Sequence, residues 1–312
     1  MRISFERRIF DILNILFMVF MVIITLYPVL YVLFASFSDP IRFWSYSGIL
    51  YAPLGFTFAA YEKAFSYSAI YRGFLNTLFI VGAGIPISLV LTAIGAYLLS
   101  RKNVLLAKPI GMAIVFTMFF SGGLIPFYFT VKGIQFPFPF FSFSDGMLLI
   151  TIKNVGIYNT LWSLILPSAI NTFNMLVMRT GFAAIPDSLS ESARIDGAGH
   201  VVILFGIMIP LAMPTVAVIL LYYGVAYWYA WFNATIFLVD NKLYPLQLVL
   251  RQVLITNDLS QMTSGMDVGS QMQVGETLKY AVIVIATLPI VLVYPFLQKY
   301  FVSGIMIGAV KG

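Results

Sequence analysis

Runs of about 20 apolar residues, each long enough to cross the hydrocarbon core of a bilayer, recur along this chain. Hydrophobic residues make up 61% of it and charged residues 10%. A soluble domain carries about 25% charged residues, so too few charges are present to wet a globular surface. The chain therefore reads as an all-α, polytopic membrane protein. Six spans are expected in a single transmembrane domain over 1–312: near 12–37, 73–99, 110–129, 158–178, 203–238 and 278–297. The fifth is overlong, which implies tilt or an exit from the membrane before its end.

The first run follows Arg2, Arg7 and Arg8, is too long for a signal-peptide core and lacks an A-x-A-like cleavage site, so it is expected to stay as a helix. With the N-terminus inside, the cytoplasmic pieces 1–11, 100–109, 179–202 and 298–312 hold Arg101, Lys102, Lys108, Arg179, Arg194, Lys299 and Lys311 besides the first three arginines. Basic density is then higher inside, as the orientation rule asks, although Arg42, Lys63 and Arg72 pull the other way. Both termini are placed in the cytoplasm. Of the outer loops, 130–146 is dense in proline and aromatics and reads as an irregular surface loop. Segment 256–275, with Asp258 and Asp267, reads as an exposed loop or short helix, either a solvated connector or a landing place for an external partner.

Several chemistries are excluded. Cysteine is absent, which removes disulfides, thiol catalysis and cysteine metal sites, and one histidine, His200, cannot build a multi-histidine site. No Gly-Lys dipeptide occurs, so there is no P-loop, and no G-x-S-x-G elbow is present. The mid-span regions are free of carboxylates, with Asp11 near a membrane edge, which argues against ion-coupled transport. The net charge of +6 is modest and does not suggest nucleic acid.

Against this greasy background, Pro186-Asp187-Ser188-Leu189-Ser190-Glu191 has the grammar of a helix start. Ser188 followed by Glu191 matches a capping box, and Gly197 or Gly199 supplies a left-handed stop. A helix of about two turns is marginal alone in water, so it must rest on something; Leu189 and Ala193, four apart, share a face that can dock it. Read from these residues alone, it is either a grip for a soluble partner or a connector packed on its own subunit. Within the spans, Asn76, Asn171, Asn174, Tyr222, Tyr223, Tyr227, Trp228, Tyr229, Trp231 and Asn233 are costly to bury. They suit a sugar path, with aromatics for stacking and amides for hydroxyls, or else helix–helix contacts and interfacial belts. Tyr222, Tyr223, Tyr227, Trp228, Asn76 and Asn174 are the leading path candidates. Pro210 and Pro214 can kink the fifth span, and His200 reads as a local polar contact.

The pattern Glu191-Ser192-Ala193-x3-Gly197-x9-Ile207-x-Ile209-Pro210 resembles the EAA-x3-G-x9-I-x-L-P signature of ABC importer permeases. Ser192 stands for an alanine and Ile209 for a leucine. The string Glu191 to Ala198 and the ending Tyr300 to Gly312 resemble carbohydrate-uptake permeases, and Phe120-Ser121-Gly122-Gly123-Leu124-Ile125-Pro126 resembles their polysaccharide branch. The resemblance implies a type I importer fold in which residues 188–197 form a cytoplasmic coupling helix, seated in a groove of an ATPase subunit. It implies that Glu191 caps this helix and meets a basic group, that Ala193 and Gly197 keep its surface low, and that Arg194 and Asp196 make polar contacts, with Ser192 adding a hydroxyl. It further implies a non-enzymatic subunit with no cofactor of its own, ATP and Mg2+ being held by two partner ATP-binding subunits. A second related permease, an extracellular solute-binding protein and an oligosaccharide cargo complete the expected system in a bacterial cell membrane. An ion-coupled secondary transporter or channel is the alternative. Arg42, Lys63, Arg72, Lys132 and Lys153 on the outer side fit an acidic cargo or the binding protein equally.

Overall fold

A long helix needs an unbroken apolar run, and three such runs survive as single helices. In the computed structural model, which describes residues 5–101, 104–120, 122–144, 147–255 and 268–309, α1 spans Phe5–Ser36, α4 Ser68–Ser100 and α15 Val268–Ala309. Their stretches Ile9–Ser36, Ser68–Ser100 and Val274–Phe296 are long and apolar enough to cross a membrane. Between α1 and α4 lie the short α2 (Pro40–Trp44) and α3 (Ala59–Ser66), and before α15 lies α14 (Leu246–Ile255). Asp39 starts α2 by accepting the Ile41 and Arg42 N–H groups, with Pro40 in the first turn where its missing N–H costs nothing.

The remaining expected spans are broken. The third becomes α5 (Ala107–Phe119) and α6 (Leu124–Gly133), bent by 118°. Gly123 there has φ +86°, a conformation that suits glycine. The fourth becomes α7 (Trp162–Ile165), a 3-10 turn at Leu166–Ser168 and α8 (Thr172–Ala183). Pro167 and the cap formed by Asn171 on the Asn174 N–H interrupt it. Twelve residues of helix reach about 18 Å, short of a hydrocarbon core of about 30 Å. The fifth divides into α10 (His200–Ile203), a π-helical turn at Leu204–Met208, α11 (Ile209–Leu211), α12 (Met213–Trp228) and α13 (Trp231–Phe237), with a bend of 89° before α12. Its excess length is thus absorbed by breaks, and the bend falls between Pro210 and Pro214. Among the described residues, three helices are long and apolar enough to cross a membrane, or up to five if each bent pair counts as one span.

The proline-rich outer segment also departs from the irregular loop expected of it. Gln135–Ser144 (β1) pairs antiparallel with Met147–Gly156 (β2), in the register Gln135↔Gly156 to Ser144↔Met147. Pro137 and Pro139 are two residues apart and so present their backbone to the same side. A two-stranded ladder gives each strand a free edge where no N–H is required. Of the polar outer segment 256–275, the part from Val268 onward opens α15; residues 256–267 lie outside the described residues, as do Lys102, Ser121 and the last three residues of the chain.

The chain divides into two compact units: Met1–Tyr71 with Leu250–Pro289, and Arg72–Val249 with Ile290–Gly312. In the first, Tyr31, Phe43 and Tyr280 meet edge to face at 5.6–6.4 Å, and the Ser36 and Tyr61 hydroxyls bond at 2.8 Å. In the second, Ile80, Tyr97, Met178, Phe182, Ile203, Met208, Ile219, Tyr223, Tyr227 and Phe237 share one buried core. Both candidate sites below belong to this second unit.

Candidate coupling helix and transport cavity

The polar insert folds as α9, Asp187–Ile195, starting two residues earlier than the capping-box reading places it. Pro186 occupies the N-cap and no side chain caps the helix, so the expected exchange between Ser188 and Glu191 does not form. Asp187, in the first turn, sets a negative charge at the positive end of the helix instead. The stop is as expected. Gly197 has φ +83°, its N–H bonds the Arg194 carbonyl at 3.0 Å, and the Ala198 N–H reaches the Ala193 carbonyl at 2.8 Å. Those two bonds are the Schellman motif. Gly199 is the N-cap of α10 rather than a second stop.

The docking face differs from the one expected. Ser190 is 3% exposed and Ala193 packs against the core, whereas Leu189 is 44% exposed. The helix therefore rests on its Ser190/Ala193 side. Glu191, Ser192, Arg194, Asp196 and Gly197 all face outward, and Ile195 beside them is 87% exposed. An outward face that mixes an apolar side chain with two acids and an arginine suits a protein partner.

The intramembrane polar residues sort into two groups. A cavity of about 630 Å3 is lined by Asn171, Asn174, Tyr222, Tyr223, Tyr227, Tyr229 and Asn233, among others. This is within the range of pockets that hold a small organic ligand. Four of the six leading candidates, Tyr222, Tyr223, Tyr227 and Asn174, meet there because α12 carries the tyrosines and the broken fourth span delivers the amides. The other two lie elsewhere. Asn76 Nδ2 donates to the carbonyls of Lys242 and Tyr244 at 2.8 and 3.1 Å, holding a loop onto α4, and Trp228 is buried edge-on to Phe74 at 6.4 Å.

Two of the cavity tyrosines have committed hydroxyls. Tyr223 bonds Thr92 Oγ1 at 2.7 Å and accepts the Asn171 N–H at 3.0 Å. Tyr227 bonds Ser88 Oγ at 2.7 Å and donates to the Ile165 carbonyl at 3.3 Å. The rings stack at 6.2 Å, so they offer the cavity faces and edges rather than free hydroxyls. Gly84 makes room for them: a Cβ there would lie 2.8 Å from the Tyr227 ring.

The family described as "Binding-protein-dependent transport system inner membrane component" matches residues 51–307. The chain belongs to this family. It is 38% identical over 265 residues to the polygalacturonan/rhamnogalacturonan transport system permease protein YtcP of Bacillus subtilis, covering 83% of this chain and 84% of that one. It is 37% identical over 305 residues to the protein LplC of the same organism, covering 98% and 96%. Among solved structures, it superposes with a TM-score of 0.81 and 28% identity on a chain from a bacterial ABC transporter involved in the import of the acidic polysaccharide alginate, covering 96% of this chain and 99% of that one. This permease is thus a multi-pass membrane component of an ABC importer, a transport subunit that works within a larger system.

Sequence reasoning passed over Arg101 and Arg179, which read as topology-setting charges. Arg101 Nη1 donates to Ser190 Oγ and Nη2 to Met208 Sδ, both at 3.0 Å, while its guanidinium lies 4.5 Å from the Tyr97 ring centre. Arg179 Nε donates to the Leu99 carbonyl at 3.0 Å. His200 is a local polar contact, as read, with Nδ1 at 3.0 Å from the Tyr97 hydroxyl. The spacing Arg101-to-Ser190 leaves no mark in one sequence.

Proposed function

We propose that this chain is the permease through which an oligosaccharide, handed over by an extracellular solute-binding protein, passes at the expense of ATP hydrolysed by partner subunits. The cavity among Asn171, Asn174, Tyr222, Tyr223, Tyr227 and Asn233 carries this reading. Sugars present apolar ring faces and a fringe of hydroxyls, and tyrosine faces with carboxamides complement both. Among the described residues no charged side chain lines this cavity, so any carboxylates on the cargo find their counter-charge on another chain. The names of YtcP, a permease protein of a polygalacturonan/rhamnogalacturonan transport system, and of the alginate importer support a glycan cargo.

In the same reading, Glu191, Ser192, Ala193, Arg194, Asp196 and Gly197 form the contact with an ATPase subunit, both termini lie in the cytoplasm, and ATP with Mg2+ sits in the partners. The chain pairs with a second permease. The absence of a P-loop in the sequence supports an external source of energy. The reading is tested by reconstituting the chain in liposomes with its permease partner, ATPase and binding protein. ATP-dependent uptake of oligosaccharides from polygalacturonan or rhamnogalacturonan that vanishes when the ATPase is omitted is expected. Uptake by this chain alone, driven by an ion gradient, refutes it and favours the secondary-transporter alternative.

A further inference from the structure

Four bonds converge on the C-terminal end of α4 and the residue that follows it. Before the coupling helix, Arg179 donates to the Leu99 carbonyl, one of the acceptors a helix leaves unused at its C-terminus. Within it, the buried Ser190 takes Arg101 Nη1. After it, His200 bonds Tyr97, and Met208 takes Arg101 Nη2. The segment from Arg179 to Met208 is therefore held at its start, middle and end by residues 97–101.

The other end of the same stretch of α4 touches the cavity. Ser88 and Thr92 hold the hydroxyls of Tyr227 and Tyr223. From Ser88 to Ser100 the helix is unbroken, since its one interior proline, Pro86, lies before Ser88. Thirteen helical residues span about 20 Å. The covalent route from α9 to the same tyrosines is poorly suited to carrying a push. It crosses Gly197 and Gly199, the π-helical turn at Leu204–Met208 and the 89° bend before α12, and π-turns and sharp bends mark places where a helix yields.

We propose that the Ser88–Ser100 stretch of α4 is the rod that carries motion of the coupling helix to the cargo cavity, with Arg101 as the positioning residue at its driven end. The proposal rests on the coupling-helix reading above. Arg101 fits the role because its planar fork makes two directed bonds to two different elements while stacked on Tyr97, a geometry lysine cannot copy. Its Nε is buried without a partner among the described residues, a cost that the two directed bonds and the Tyr97 contact must offset.

The experiment uses the complete importer in nanodiscs, with ATP hydrolysis measured with and without cargo-loaded binding protein. Arg101→Ala and the pair Ser88→Ala/Thr92→Val are each expected to keep the basal rate and reduce the stimulated-to-basal ratio at least about fivefold, the lower end of typical allosteric coupling. Arg101→Lys should recover only part of it. Gly197→Trp serves as the reference for the coupling helix. Loss in Gly197→Trp with a normal ratio in Arg101→Ala and in the Ser88/Thr92 pair overturns the rod alone; a normal ratio in Gly197→Trp overturns the coupling-helix reading itself. Should Arg101→Ala fail to assemble, the cysteine-free chain permits spin labels on the double variant Leu98→Cys/Val202→Cys. A constant separation between nucleotide-free and ATP-trapped states supports the rod, and a change greater than one helical turn, about 5.4 Å, refutes it.

Discussion

Gly197 separates what the chain needs from what a partner needs. Its φ of +83° places it in the left-handed region, where an L side chain costs about 1–2 kcal/mol. A Cβ built there meets nothing within 4 Å, so on this chain alone size is free. Gly197→Ala and Gly197→Trp should therefore lower the thermal midpoint of the isolated permease pair by the same amount, and Gly197→Asn by less, since asparagine tolerates the conformation better. The assembled importer should respond differently. If α9 sits in a groove, alanine adds one methyl and keeps most of the cargo-stimulated ATP hydrolysis, whereas tryptophan abolishes it. Equal loss of stimulation in the alanine and tryptophan variants refutes the reasoning, because the defect then follows the helix stop and not the occupied surface. Full stimulation in Gly197→Trp refutes it from the other side.

Three further outcomes follow from particular contacts. Tyr223→Phe strips a partner from both the Asn171 N–H and the Thr92 hydroxyl, and should cost about 1–3 kcal/mol in thermal or denaturant unfolding. Gly84→Ala drives a methyl to 2.8 Å from the Tyr227 ring. Overpacking of this kind costs about 1–3 kcal/mol, and Tyr227→Leu in the same chain should return part of it. Asn159, at φ 57°, accepts the Val239 and Asp240 N–H groups at 2.8 and 2.9 Å; Asn159→Ala should destabilise by about 2 kcal/mol or more and speed proteolysis near residue 240, with Asn159→Gly milder.

What could be read from the sequence tracks how local each signal is. The stop at Gly197 was legible because a Schellman motif involves only Ala193 to Ala198, and the bend near Pro210 and Pro214 because proline acts on its own turn. The start of α9 was misread by two residues: Pro186 rather than Ser188 holds the N-cap, and Asp187 places its charge in the first turn. The fourth span was drawn through Pro167 and Asn171 because hydropathy averages over both, although a proline and a capping asparagine end helices whatever surrounds them. The tyrosines of α12 were legible as a group since each hydroxyl in an apolar helix needs a partner. Asn76 raised the same alarm for a different reason. Its amide satisfies carbonyls at Lys242 and Tyr244, far along the chain, and one sequence does not distinguish that from a ligand contact.

The hydroxyl bookkeeping bears on how such a cavity can select its cargo. Tyr223 and Tyr227 commit their hydroxyls to Thr92, Asn171, Ser88 and Ile165, so in the proposed role the polar groups left to face a sugar are the hydroxyls of Ser168, Tyr222 and Tyr229 and the amides of Asn171, Asn174 and Asn233. Stacking on ring faces tolerates many sugars, and apolar contacts discriminate by only about 1–3 kcal/mol. In the proposed role, a site built on ring faces and neutral polar groups therefore passes what it is handed and leaves choice to the binding protein. On that argument Asn233→Leu should reduce uptake of several oligosaccharides by similar factors, while their order of preference follows the binding protein when that protein is exchanged. A single residue change in this cavity that inverts the order of preference would show that selection resides in the permease.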